Sequence, residues 1–260
     1  MSAGRQRIPE ETSVYLWRAV VLLLLLIVWE AVARSGAVSP HFLSAPSAIA
    51  ARSVAMRGDL LRHTAITLQE VVAGFSIAAT WGVLGGFLLA LNRRVERVFE
   101  PFLAAFYAVP IIAMAPLLIL MFGLGTPSKV ATAAIYSGFP IIVNVVTGVR
   151  NVDSVLIKAV RSLGATRRQI FSKVILPASL PYVMAGLRLG FNLALIAVIV
   201  SQMLAAYAGL GWLVSYAAGT FRTDDLYVGL VLLGALGMVA NELLRRLEHR
   251  FMRWHYERVH

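Results

Sequence analysis

An all-α membrane protein with six transmembrane helices is the fold this sequence predicts, and three observations carry that reading. Of its 260 residues 59% are hydrophobic and 14% are charged, with a mean hydropathy of +0.76; soluble domains sit nearer about 45–50% apolar and about 25% charged. Six segments, near 14–33, 67–91, 99–122, 129–149, 182–206 and 226–247, approach the roughly 20 apolar residues needed to cross a hydrocarbon layer about 30 Å thick. The third observation is where the basic residues fall. With the amino terminus inside, sixteen Lys and Arg lie in cytoplasmic segments and six outside, a bias that places both termini in the cytoplasm. Topology therefore accounts for the net charge of +11. No basic, aromatic-interleaved soluble module is present to hold a nucleic acid strand.

The elements follow in order. Residues 1–13 form a cytoplasmic segment, and 14–250 a single transmembrane domain. The first span ends in Ala31, Val32 and Ala33, which mimic a signal-peptide cleavage site; it reads as uncleaved, because removal would leave an odd span count against the charge bias. Residues 34–63 lie outside, with Pro40, Pro46 and an amphipathic stretch from Ser47 to Met56 suited to the membrane surface. Gly82, Gly85 and Gly86 in the second span, and Gly186 and Gly190 in the fifth, read as close helix contacts. Pro110 and Pro116 break the third span where a neighbour or a cavity can satisfy freed carbonyls. Residues 207–225 return outside, with Gly209 and Gly211 at a turn and Asp224 and Asp225 ahead of the sixth span. The tail 251–260 is basic, amphipathic and suited to anionic lipid headgroups.

Between spans four and five, residues 151–180 turn basic and amphipathic. Val152, Leu156, Ala159, Val160 and Leu163 share one face of a short helix that Gly164 ends. A second apolar face, formed by Ile170, Phe171, Val174 and Ile175, runs until Pro177 and Pro181 are expected to stop it, while Arg167, Arg168 and Lys173 point elsewhere.

The order Ala159, Gly164, Ala165, Thr166, then Ile175, Leu176 and Pro177 is similar to the EAA signature of ABC importer membrane subunits. The wider chain resembles the nitrate/sulfonate/taurine branch of those permeases through Phe42–Ile49, Val109–Gly125, Gly148–Asp153 and Phe221–Leu230. The resemblance implies a type I ABC importer permease in a bacterial cytoplasmic membrane, with 151–180 as the loop that couples to an ATPase. It assigns that contact to Lys158, Ala159, Gly164, Ala165, Thr166, Arg167, Arg168, Gln169 and Pro177. Lys158 stands where the family usually has an acidic residue. The implied partners are a second permease copy, two ATPase subunits that use ATP and Mg, and an extracytoplasmic binding protein. Cargo on this reading is a small oxyanion such as a sulfonate, taurine or nitrate, or alternatively a pyrimidine vitamin precursor.

Chemistry within the chain itself is sparse. No Gly-Lys pair exists, so a phosphate-cradling loop is absent, and ATP hydrolysis falls to another subunit. There is no cysteine, and the five histidines show no metal-ligand spacing and read as solvated, so no cofactor or metal is expected. No catalytic serine elbow supports a membrane enzyme. An ion-driven carrier would want carboxylates at the bilayer midplane beside a broken helix, and the prolines of span three lack one. Candidates for the translocation path are Glu70, Pro110, Met114, Asn144, Asn192 and Gln202. Glu70 faces either a pore or solvent near a span end, and the amides either a path or neighbouring helices.

Overall fold

A computed structural model describes residues 10–251, and among them every regular element is helical. The N-terminal segment to residue 9 and the tail beyond residue 251 lie outside the described residues. The elements are α1 (Glu10–Arg34), α2 (Pro46–Ala55), α3 (Arg57–Ala90), α4 (Arg93–Ala108), α5 (Ile111–Phe122), α6 (Thr126–Arg150), α7 (Ser154–Ser162), α8 (Arg167–Ile170), a π-helical turn (Phe171–Ile175), α9 (Leu176–Leu204), α10 (Leu210–Gly219) and α11 (Thr223–Phe251). Five helices among the described residues are long and apolar enough to cross a membrane, and α5 adds a shorter apolar one.

Helix α6 is the hub, packed against α3 on one side and α9 on the other. Small residues set the spacing. A Cβ at Gly82 would lie 2.9 Å from Ile141 Cβ, and one at Gly86 2.6 Å from Val145 Cβ, so only glycine lets α3 come this close. Contacts that advance together along both chains make α3 and α6 parallel. On the other side Gly186 meets Asn144 and Gly190 meets Ile141, which makes α9 antiparallel to α6. The core is built from Val71, Ala133, Ala194, Ala197 and Val198, with Ile141 and Val145 one layer along. Helix α1 stands apart, its leucine run exposed and suited to lipid; Glu30 near its end accepts from the Ser47 backbone N–H at 3.0 Å, tying it to α2.

Three expectations are corrected. The span expected at 99–122 is two helices, because Pro110 lacks the N–H needed to continue α4 and instead starts α5. The second span begins ten residues earlier than expected, at Arg57 in place of 67, and α3 is 34 residues long. Residues 207–225 are more than a turn: they contain α10, whose Leu210, Leu213, Val214 and Ala217 are buried.

On the face opposite α7, two stretches far apart in sequence lock together. Ser44 donates to Asp224 at 2.6 Å, Thr223 to the His41 carbonyl at 2.9 Å, and Tyr227 to the Phe42 carbonyl at 3.0 Å. Asp225, nearly buried, is shared by Arg52 and Arg222, and its carboxylate raises the Arg52 guanidinium above its ordinary value.

Candidate coupling loop and buried polar cluster

Helix α7 begins where the Asp153 carboxylate caps the Val155 N–H at 2.7 Å. It ends in a Schellman turn: the Gly164 N–H donates to Arg161 C=O at 3.0 Å and the Ala165 N–H to Val160 C=O at 3.3 Å. That turn requires the left-handed backbone, and Gly164 has φ +81°. Immediately afterwards Thr166 and Gln169 form a capping box, with Gln169 N–H on the Thr166 hydroxyl at 3.3 Å and Thr166 N–H on Gln169 Oε1 at 2.8 Å. The loop is thus two helices joined by a corner with both flanking ends satisfied.

The two sides of the corner differ in burial. No residue of α7 is buried; Val155, Leu156 and Leu163 are exposed, Leu163 at 87%. Val160 and Ala165 are half-buried, while Lys158, Ala159, Arg167, Arg168 and Gln169 are exposed. Beyond the corner, Ile170 and Val174 are buried and Phe171 meets Phe87 of α3 edge-on at 5.4 Å. One arm presents apolar side chains outward, and the other roots the corner in the core.

Pro177 is not a stop. The helix runs without interruption from Arg167 to Leu204. A proline inside an α-helix clashes with the carbonyl four residues back and removes a donor, but the preceding segment is wound as a π turn, with the Leu176 N–H bonding Phe171 C=O five residues back. The wider turn makes room for the ring at the first turn of α9, where a missing N–H is tolerated. Pro181 is likewise carried inside α9.

At the other end of the molecule a polar cluster is buried between α3, α9 and α10. Gln202 donates to Glu70 at 2.7 Å, while its oxygen accepts from Thr67 at 3.1 Å and from the Gly211 N–H at 3.0 Å. Thr67 in turn accepts from the Leu210 N–H at 2.8 Å, and His63 Nδ1 from the Gly209 N–H at 3.0 Å, with the imidazole stacked on Trp212 at 5.2 Å. The N–H groups of Gly209, Leu210 and Gly211, at the start of α10, are therefore capped by three side chains from α3 and α9. Lys129, also buried, donates to the carbonyls of Leu124 and Ala205, closing the ends of α5 and α9.

Of the six path candidates, two belong to this cluster. Glu70 and Gln202 are 4% and 1% exposed and face each other inside this chain, so within it neither lines an open passage. Asn144 donates to its own helix at Pro140 C=O, 2.9 Å away. Asn192 and Met114 are half-buried, and Pro110 is exposed at the α4–α5 break. His63 is buried where a solvated histidine was expected. Sequence reasoning missed His63, Thr67 and Lys129; the only local signal was an unusual density of polar residues at the ends of apolar spans. Gly211→Ala should destabilise the protein by about 1–3 kcal/mol, because the added Cβ would sit 2.4 Å from the Ile199 carbonyl oxygen. A lowered melting temperature in detergent checks it, and an unchanged one contradicts this packing.

The bundle of parallel α3 and α6, antiparallel α9 and a projecting helical corner has counterparts among solved structures. It matches a permease of the MetNI methionine ABC transporter in an inward-facing conformation, with a TM-score of 0.67 and 21% identity over 75% of this chain and 97% of that one. Residues 82–253 match the model of the binding-protein-dependent transport system inner membrane component, and the chain belongs to that family. Among curated relatives, the putative aliphatic sulfonates transport permease protein SsuC of Bacillus subtilis is 30% identical over 92% of this chain and 88% of its own. The taurine transport system permease protein TauC of Escherichia coli is 30% identical over 91% and 88%. The formylaminopyrimidine transport permease protein ThiX of Halalkalibacterium halodurans is 31% identical over 89% and 93%. The chain is a permease subunit of an ABC importer.

Proposed function

We propose that this permease carries a small organic oxyanion, a sulfonate or taurine, through a path between two copies of itself. Each copy engages an ATPase subunit through α7 and the Gly164 corner and receives cargo on the opposite face from a solute-binding protein. The observation that carries the cargo assignment is the identity of about three residues in ten to sulfonate and taurine permeases along nine-tenths of the chain. The exposed Val155, Leu156 and Leu163 support the ATPase contact: an isolated amphipathic helix offering an apolar stripe is what a groove on a partner takes up. Because Ile170, Val174 and Phe171 root the corner in the core, a displacement of α7 would be passed to α9 as a rigid rotation. ATP and Mg belong to the partner ATPase. On this reading both termini and α7 lie in the cytoplasm.

Uptake into proteoliposomes containing the permease, its ATPase and its binding protein tests the assignment. ATP-dependent accumulation of taurine or an alkanesulfonate is the expected outcome; accumulation of a formylaminopyrimidine alone replaces the oxyanion with the vitamin-precursor reading. Lys158→Glu, which restores the charge usual at this point of the signature, should shift the ratio of transport to ATP hydrolysis by about two- to tenfold, as exposed interface charges do. An unchanged ratio makes position 158 a bystander.

A further inference from the structure

The helix α4 is neither a conventional span nor a covered packing element. At roughly 100° per residue, its side chains divide into three arcs. Glu96, Glu100 and Leu103 fall on one, which faces α6: Glu96 is buried and ion-paired with Arg150, and Glu100 and Leu103 line the same cleft. Arg93, Arg94 and Arg97 fall on the second, all exposed and, among the described residues, in no ion pair. Val95, Val98, Phe99 and Phe102 fall on the third, exposed by 38–61%. Both acidic residues point toward α6, so although Glu96 and Glu100 stand three residues on from Arg93 and Arg97, neither forms an ion pair with them.

Their position along the helix matters as much as their arc. Arginines in the first turn stand against the positive end of the helix dipole, which disfavours them unless an anion is nearby. Asn92 already accepts from the Arg94 and Val95 N–H groups at 3.0 and 3.4 Å, so the helix start is capped without one. The Arg150 pairing and the run from Ala90 into α4 place this end at the membrane face that carries α7. A basic arc beside an aromatic and aliphatic arc is the pattern of a helix lying in the bilayer interface, with its apolar side in acyl chains and its cations at phosphates.

We infer that α4 is an anionic-lipid binding surface: it lies in the leaflet on the α7 side, with Arg93, Arg94 and Arg97 on phospholipid headgroups and Val98, Phe99 and Phe102 in the acyl region. The occupant is lipid rather than protein because net positive charge and apolar surface run side by side along one exposed helix within a membrane-embedded chain, which matches the two layers of an anionic leaflet.

The absence of native cysteine makes the test clean. Val98→Cys in the full-length chain, assembled with its partner subunits in nanodiscs and labelled with bimane, reports lipid beside α4 through quenching by brominated acyl chains. Brominated phosphatidylglycerol should quench about five- to tenfold more effectively than brominated phosphatidylcholine at equal mole fraction and low salt, and about 0.5 M salt should reduce that preference sharply. The triple variant Arg93→Gln, Arg94→Gln, Arg97→Gln should bring the two lipids level. Equal quenching in the parent, a preference insensitive to salt, or one that survives in the triple variant overturns the inference. Quenching by neither lipid means protein covers this face, and overturns it too.

Discussion

Gly164→Val is expected to leave the protein folded and inserted while lowering recovery of the ATPase in co-purification at least about tenfold. The position has φ +81°, and nothing lies within 4 Å of where a Cβ would be, so the effect comes through the backbone alone. A β-branched residue in the left-handed region costs on the order of 1–3 kcal/mol. The chain can avoid that cost by unwinding the Schellman turn, and the turn alone sets the direction of α7 against α8. If α7 docks on the ATPase as proposed, misdirecting it by that much removes most of a modest interface. Gly164→Asn serves as the control, since asparagine tolerates this conformation and should retain most of the ATPase. Equal recovery for the valine and parent proteins would remove Gly164 from the coupling assignment, whatever the growth phenotype.

Gln202→Glu should be the more damaging change to the fold. The amide both donates to Glu70 and accepts from Thr67 and Gly211, a division of labour a carboxylate cannot reproduce. Two carboxylates would then face each other in a site closed to water. Either one takes up a proton or both stay charged without a donor between them, and the expected loss is about 3 kcal/mol or more. The measurement is thermal unfolding in detergent across pH. Stability should recover partly as pH falls and the pair shares a proton, since the unpaired charge is what destabilises. A variant as stable as the parent at neutral pH would show that this cluster contributes little.

Much of the architecture could be read in advance because lipid imposes a simple rule. A chain that must satisfy its backbone internally crosses as helices, and apolar runs of sufficient length reveal them. Five of the six expected spans stand as long helices. The family, too, was visible in a few local signatures, and Gly164 declared its role because only glycine sits easily in a left-handed turn. The prolines misled for the opposite reason. Pro110 does break a helix and Pro177 does not, yet both lie in apolar surroundings; the difference is the π turn at Phe171–Ile175, whose widened winding depends on Phe171, Ile170 and Val174 being held against the body of the protein.

Glu70 and Gln202 make the same point at the other end. Each alone reads as a polar residue near a membrane surface, open to several roles. Their meaning comes from partners 132 residues apart in sequence, brought within 2.7 Å by the packing of α3, α6 and α9. Hydropathy and local turn chemistry are properties of neighbouring residues, and they were enough for the membrane fold, the family and the corner of the loop. The burial of His63, Lys129 and Gln202, the capping of α10 by side chains from two other helices, and the survival of a helix through Pro177 depend on contacts between segments far apart in the chain, which no local pattern encodes.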